Sequence, residues 1–341
     1  MRVAVVWNHD RAGVINRFGQ PDPEGGPCRE TIESMVAALQ EGGHETLLCE
    51  GDKGLLTTLE RFMPPDPKAR PSGFAFNMAY GIQGECRVTH VPAMLEMAGV
   101  PYTGSSPLGH GLDKATAKRL LRDAGVPTPN FCVMRSGTDS SGHLRFPLVV
   151  KPLHESMSLG LQLVHEAAQL KQAVEWIVTQ YDQDALVEEY IDGREIYVAL
   201  LGNEELEVLP LVEQDFGNRE PRLMTWEAKN MATMALQRIC PADIGSSLAT
   251  ALGHISVATF HACHCRDFAR IDFRIDRSGR PFVLEINSMP GLDPTTAYVL
   301  AASTAGHGFS SLVNRILDVA HTRYFGHGAP KAGDACSPRP T

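Results

Sequence analysis

No stretch of this sequence approaches the ~18 consecutive apolar residues of a membrane-spanning helix, so no membrane partner is expected. The opening Met1-Arg2-Val3-Ala4-Val5-Val6-Trp7 is too short for the apolar centre of a secretion signal and reads as a first β-strand. A cytoplasmic protein is the expectation. Basic excess is lacking too: 31 Lys and Arg stand against 40 Asp and Glu, a net charge of −9. Nucleic acid needs phosphate-neutralising cations and is therefore not the expected partner, whereas a small anionic substrate could still meet a locally basic site. There is no G-x-x-x-x-G-K-[ST] segment and no G-x-G-x-x-G after the first strand, so neither a P-loop nor a dinucleotide fingerprint is present. Of eight cysteines only His261-Ala262-Cys263-His264-Cys265 forms a cluster, and no second ligand pair completes a zinc site. It is read as packing at the end of an apolar helix over 255–260. No internal repeat is visible.

What the chain does contain is ordinary globular material, 43% hydrophobic and 21% charged over 341 residues, more than one core usually supports. Strand and helix signals alternate through the first hundred residues: strands at 3–7, 46–49 and 74–78, helices at 31–41 and 91–98, closed by Gly42-Gly43 and Gly99. That pattern predicts an α/β layer with a mostly parallel sheet. Asp113 is placed to cap a helix through Ala124, and strands at 131–134, 147–151, 161–164 and 185–189 with a helix at 167–180 predict an α+β unit. The expected boundaries are an N-terminal domain at 1–108, a central one at 109–192, a C-terminal catalytic one at 193–325 and a disordered tail at 326–341.

The chemistry concentrates in the last third. Ala269-Arg270-Ile271-Asp272-Phe273 and Phe282-Val283-Leu284-Glu285-Ile286-Asn287 flank a Ser278-Gly279 turn and read as a hairpin. Residues two apart on a strand share a face, so Arg270 and the oxygens of Asp272, Glu285 and Asn287 can converge. That donor set suits Mg²⁺ holding phosphate oxygens. A salt-bridged strand pair is the plainer alternative, but it gives Asn287 and Gly291 no role. Lys114, and Lys151 with its following loop through Ser158, are candidate phosphate contacts; a solvated edge lysine is the competing reading. Glu188-Glu189-Tyr190-Ile191 could offer an adenine edge, with Glu195 for ribose hydroxyls, or form an acidic surface turn. Trp226-Glu227-Ala228-Lys229 lies in an aperiodic stretch that reads as a lid or a plain loop.

Taken in order, these pieces resemble the ATP-grasp superfamily and, within it, the D-alanine–D-alanine ligases. The resemblance rests on Pro101-Tyr102-Thr103-Gly104-Ser105, Asp113-Lys114, Val150-Lys151-Pro152, Glu227-Ala228-Lys229, Cys240-Pro241-Ala242, Arg270-Ile271-Asp272 and Leu284-Glu285-Ile286-Asn287 with Pro290-Gly291. It spans Met1 to about Tyr324. It implies an ATP-grasp fold behind a Rossmann-like N-terminal domain, and a homodimer formed through that domain. It implies ATP gripped by Lys114, Lys151, Ser158, Glu188, Glu189, Tyr190, Ile191, Glu195, Lys229 and Leu284, and two Mg²⁺ held by Asp272, Glu285 and Asn287. A carboxylate would become an acyl phosphate and an amine would displace phosphate, with Arg270 and the Gly291 N–H stabilising the oxyanion.

Departures from the family pattern fall on the substrates. The family's Leu-His-Gly is Ala79-Tyr80-Gly81 here, its Gly-Ser-Ser is Ser156-Met157-Ser158, and the tyrosine after Glu-Ala-Lys is Asn230. Glu24 is the nearest match to the family's ammonium-binding glutamate. Two members of its Ser–Tyr–Glu set are missing, which argues against D-alanine as donor. Thr296, with Thr295 beside it, keeps the hydroxyl that would bind an acceptor carboxylate. The expectation is an amide-forming ligase joining a small carboxylate to an amino acid or similar amine in specialised metabolism. The alternatives are an authentic D-alanine–D-alanine ligase and a non-catalytic ATP-binding sensor or scaffold.

Overall fold

The structure, a computed structural model, describes residues 1–8, 28–67, 72–82, 84–156, 158–224 and 237–326. The expected ligand residues Glu24, Met157, Lys229 and Asn230, the rest of the Trp226–Lys229 motif, and the tail from 327 onward lie outside these.

Among the described residues, three sheets follow one another. The first is parallel, in the order β2 (Glu45–Glu50), β1 (Arg2–Trp7), β3 (Gly73–Asn77), extended by a bridge from Ala75 to Tyr102. Helices α1 (Arg29–Glu41), α2 (Leu55–Phe62) and α3 (His90–Met97) cover it, and the short α4 (Pro107–His110) follows. Sequence periodicity did not predict α2; it spans only two turns and shows its buried face at just Leu55 and Leu59. A ten-residue helix, α5 (Lys114–Asp123), leads into the second sheet. That sheet is antiparallel, ordered β4 (Phe131–Met134), β7 (Ala185–Glu189), β5 (Leu148–Pro152), β6 (Gln162–Val164). Helix α6 (Ala167–Tyr181) buries Leu170, Ala173, Val174 and Ile177 against Leu148, Val150, Val164 and Val187.

The third sheet runs β11 (Gln237–Ile239), β10 (Val212–Asp215), β8 (Gly193–Gly202), β12 (Phe268–Asp276), β13 (Pro281–Asn287), with β9 (Leu206–Val208) on β8. Strand β8 alternates its buried residues between two faces. Ile196, Val198 and Leu200 pack with α5 and with α7 (Ser246–Ala262), while Tyr197, Ala199 and Leu201 face the core that holds α8 (Ala297–Thr304) and α9 (Phe309–Phe325). Helix α7 is longer than the expected 255–260 because Leu252 and Gly253 extend its buried face toward its start. Cys263 and Cys265, beyond its end, are buried in this apolar core, and burial pushes the Cys263 thiol up to about 11. Among the described residues, no group of three or more His, Cys, Asp or Glu is placed to hold a metal ion, and no helix is long and apolar enough to cross a membrane.

Helix α9 does not stay with the third sheet alone. Its Leu312, Val313, Ile316 and Leu317 join Ile32, Met35 and Leu39 of α1 in one continuous core, so the first and third sheets share apolar packing.

Candidate active site

The expected hairpin is present, with Arg270 opposite Asn287 and Asp272 opposite Glu285. A bulge follows: Phe273 pairs with Val283, leaving Leu284 as the extra residue. Arg270 grips Asp272 through Nε at 2.7 Å and Nη2 at 2.9 Å, and Asn287 Nδ2 donates to the same carboxylate at 3.1 Å. The Arg270 guanidinium also lies 5.2 Å from the Tyr197 ring centre. Burial pushes the Asp272 carboxyl up, and although Arg270 pulls it down, Glu285 and Glu195 add to the rise. Burial opposes the Arg270 charge, but Asp272 outweighs it and keeps the group firmly protonated. Two neighbouring carboxylates repelling a third oxygen donor mark a place short of positive charge. The donors are hard oxygens, which fits Mg²⁺ with phosphate or water completing its shell.

Facing this hairpin is a cluster of lysines. Asp113 caps α5 by accepting from the Thr116 N–H at 2.9 Å, which starts the helix at Lys114 and puts Lys118 on the same face one turn later. Lys114 Nζ reaches the Leu153 carbonyl at 3.4 Å and also the Glu155 carbonyl. Lys151, at the end of β5, pairs with Glu188 Oε1 at 2.6 Å, and Lys118 pairs with Glu188 Oε2 at 2.8 Å. Lys118 also donates to Thr128 Oγ1 at 2.8 Å, and Thr128 donates to the Val283 carbonyl of β13 at 2.8 Å. Burial alone would raise the Glu188 carboxyl, yet Lys118 and Lys151 hold it down at about 2. Burial draws Lys118 down to about 8 against the pull of Glu188 and Glu285. Burial also lowers Lys114, with Lys151 adding repulsion. The charge of Glu285 is felt at Lys114, Lys118, Lys151, Arg270 and Asp272, and Thr128 bridges Lys118 to β13, so hairpin and lysines are close neighbours.

Other expected ATP contacts are placed less uniformly. Glu189 sits on the opposite face of β7 from Glu188; Arg145 Nε at 3.0 Å and Asn130 Nδ2 at 3.1 Å hold its carboxylate away from the lysines. Its N–H is spent as well, donating to the Asn130 carbonyl at 2.9 Å. Glu195 accepts from Tyr197 Oη at 2.7 Å and from Arg274 Nε at 3.0 Å, both buried. Tyr190 donates its hydroxyl to the Arg222 carbonyl at 3.1 Å, and Ile191 is half-buried beside it. Half-buried Ser158 takes a left-handed backbone, φ 61°.

Around the expected substrate side, Tyr80 donates to the Met289 carbonyl at 3.1 Å, tying the segment after β3 to the Pro290-Gly291 turn. Gly81, at φ +77°, accepts no side chain, since a Cβ would lie 1.9 Å from the Arg87 carbonyl oxygen. Its N–H donates to Asn8 Oδ1 at 2.8 Å. The Thr296 hydroxyl donates within its own loop, to the carbonyls of Gly291 at 2.9 Å and Asp293 at 2.8 Å. Thr295 is exposed, and its carbonyl accepts from Arg238 Nη1 at 2.5 Å. Sequence reasoning missed Lys118, Asn8, Asp293 and Arg238. Lys118 alone had a local signal, its four-residue spacing from Lys114; the others act through partners far away in sequence.

A family model described as the D-ala D-ala ligase C-terminus matches residues 120–318. The D-alanine–D-alanine ligase of Pelotomaculum thermopropionicum is 34% identical over 259 residues, covering 72% of this chain and 79% of its own length. An uncharacterized protein of Sinorhizobium fredii, y4sG, is 70% identical over 333 residues, 96% of this chain and 99% of that one. The crystal structure of the D-alanine–D-alanine ligase from Bacillus anthracis complexed with ATP matches with a TM-score of 0.73, covering 95% of this chain and 98% of that chain, at 22% identity. The fold and site thus define an ATP-grasp enzyme, an ATP-dependent ligase that forms a carbon–nitrogen bond. Within that class, the chain belongs to the D-alanine–D-alanine ligase family.

Proposed function

We propose that this ligase joins a small carboxylate other than D-alanine to an amino acid, giving a dipeptide-like amide through an acyl phosphate, in specialised cytoplasmic metabolism. The observation that carries the reading is the convergence of Lys114, Lys118 and Lys151 on the cleft that holds Arg270, Asp272, Glu285 and Asn287. Lys114 and Lys151 would bind the ATP phosphates, with Lys229 and Ser158 assisting. Glu188, kept ionised and therefore acceptor-only, would read the adenine amino group, and the Glu189–Ile191 backbone and Leu284 would line the base. Glu195 would take the ribose hydroxyls. Asp272, Glu285 and Asn287 would hold two Mg²⁺, which supply neutralisation of phosphate charge when bound. Arg270 and the Gly291 N–H would stabilise the oxyanion as the amine attacks. Catalysis rather than mere nucleotide binding is favoured by Arg270, whose fixed guanidinium a sensor would not need.

The donor reading rests on Tyr80, whose hydroxyl is already committed to the Met289 carbonyl, and on the changes at Glu24, Met157 and Asn230. The test is a phosphate-release screen of carboxylates against amino acids with MgATP, with product masses measured. Turnover that needs a carboxylate and an amine together, with the mass of their amide, is expected. Robust turnover on D-alanine alone would instead identify an authentic D-alanine–D-alanine ligase. A homodimer through the first domain belongs to the same reading.

A further inference from the structure

Loop 291–296 presents more than the Gly291 N–H and a threonine. On the side where a side chain would project from Gly291, two atoms of the described residues beyond its chain neighbours come within 4 Å: the Thr296 methyl at 3.5 Å and Asp293 Oδ2 at 3.7 Å from the Cβ position. The Gly291 position is therefore uncrowded on that side and lies beside a carboxylate oxygen. That carboxylate is fixed from behind. Its Oδ1 accepts from the Thr31 hydroxyl, and from Cys28 Sγ at 3.3 Å, both at the start of α1. Its Oδ2 has no partner among the described residues. The Thr296 hydroxyl donates to carbonyls of its own loop, beside Asp293. The remaining nearby cation is Arg238 on β11, exposed and held by the Thr295 carbonyl through one nitrogen only, with its other N–H groups turned to no partner among the described residues.

We propose that Asp293 and Arg238 form the acceptor site, Asp293 binding the acceptor's ammonium and taking its proton, and Arg238 binding the acceptor's carboxylate. This rests on the ligase reading above and deepens it. The order of charges along the loop matches a zwitterionic amino acid, with the amine toward Gly291 and the carboxylate toward β11. An ammonium has no lone pair, so the acceptor cannot attack until it loses a proton. That proton passes to Asp293 Oδ2 as the nitrogen lone pair forms the C–N bond to the acyl phosphate carbon. The tetrahedral adduct then collapses. Its C–O bond to phosphorus breaks, phosphate leaves with the electron pair and the second amine proton, and Asp293 returns its own proton to water. General-base help of this kind is worth ~100-fold or more.

Hydroxylamine separates this step from the rest. It is an uncharged nucleophile at neutral pH, so it traps an acyl phosphate as a hydroxamate without needing a base or a carboxylate clamp. Wild type, Asp293→Asn and Arg238→Gln are assayed with ATP and the donor and acceptor found in the screen above, with either the amino acid or hydroxylamine as nucleophile. For Asp293→Asn the ratio of amide to hydroxamate should fall ~100-fold at pH 7 and recover as pH rises toward the amine's own pKa. For Arg238→Gln the KM for the amino acid should rise ~10-fold with kcat little changed. An unchanged ratio in Asp293→Asn, or parallel loss of both products, would overturn the assignment and leave Asp293 as a fastener between loop and helix. Absence of hydroxamate from wild type with every carboxylate tried would sink the ligase reading itself, and this proposal with it.

Discussion

Lys118, Glu188 and Lys151 are between 2% and 7% exposed, and their mutual contacts are what make three buried charges tolerable. Two cations on one carboxylate leave the cluster with a net positive charge. Lys118→Met removes one cation and lets Glu188 neutralise Lys151 fully. A loss of about 2 kcal/mol in stability and roughly tenfold weaker ATP binding are expected, read by urea denaturation and calorimetry, with Lys118→Arg recovering much of both. Glu188 also sets an acid limit. Its folded-state pKa of about 2 lies below the ordinary 4.5, so its contribution is complete above pH 4.5 and disappears as pH falls through about 2. Thermal melts should show wild type losing stability across that window, and Glu188→Gln, less stable at neutral pH, changing less within it. The lysines at 114 and 151 were legible because each stands at a recognisable boundary, a capped helix start and a strand end. Asp293 was not, because its partner Thr31 lies 262 residues away and nothing local distinguishes it from a loop aspartate.

The hairpin shows why some elements are readable and others are not. Alternation of hard oxygens with apolar residues marks strand and face at once, and β12 and β13 follow it. The bulge at Leu284 escaped notice because it falls before Glu285 and Asn287, leaving their shared face intact. Strands β10 and β11 were hidden for a related reason. Both are short and mostly polar, VEQD and QRI, so they lack the apolar signal that marks the equally short β4. The same hairpin gives a sharp expectation. Arg270 is held by Asp272 and by the Tyr197 ring, which in the proposed mechanism would align it beforehand for a developing oxyanion. Arg270→Ala should lower amide formation by ~100-fold or more while circular dichroism stays native. Undiminished product would show that Arg270 has no catalytic part.

At the scale of the whole molecule, the chain closes on itself through buried Asp267. Its carboxylate accepts from Arg323 of α9 at 2.8 Å, from the Gly104 N–H at 2.7 Å and from Asn203 at 3.0 Å, while Arg323 also reaches the Tyr102 carbonyl at 2.8 Å. One carboxylate thus joins the Pro101–Ser105 motif, the end of β8 and the last helix. Arg323→Met leaves Asp267 buried without its cation and should cost about 3 kcal/mol, measured as a shift in the urea midpoint. The alternation of strands and helices made the α/β and α+β layers legible from the sequence, but nothing local shows that α9 returns to α1, since both are ordinary amphipathic helices until they meet. The net charge of −9 likewise argued against nucleic acid without revealing that Lys114, Lys118 and Lys151 gather in one cluster. The central claim is that ATP activates a carboxylate for attack by an amine. The direct measurement uses the donor carboxylate labelled with ¹⁸O in both oxygens. Mass analysis of the phosphate released during amide formation should find one labelled oxygen per phosphate, carried over from the acyl phosphate. Amide formed with wholly unlabelled phosphate would contradict the account.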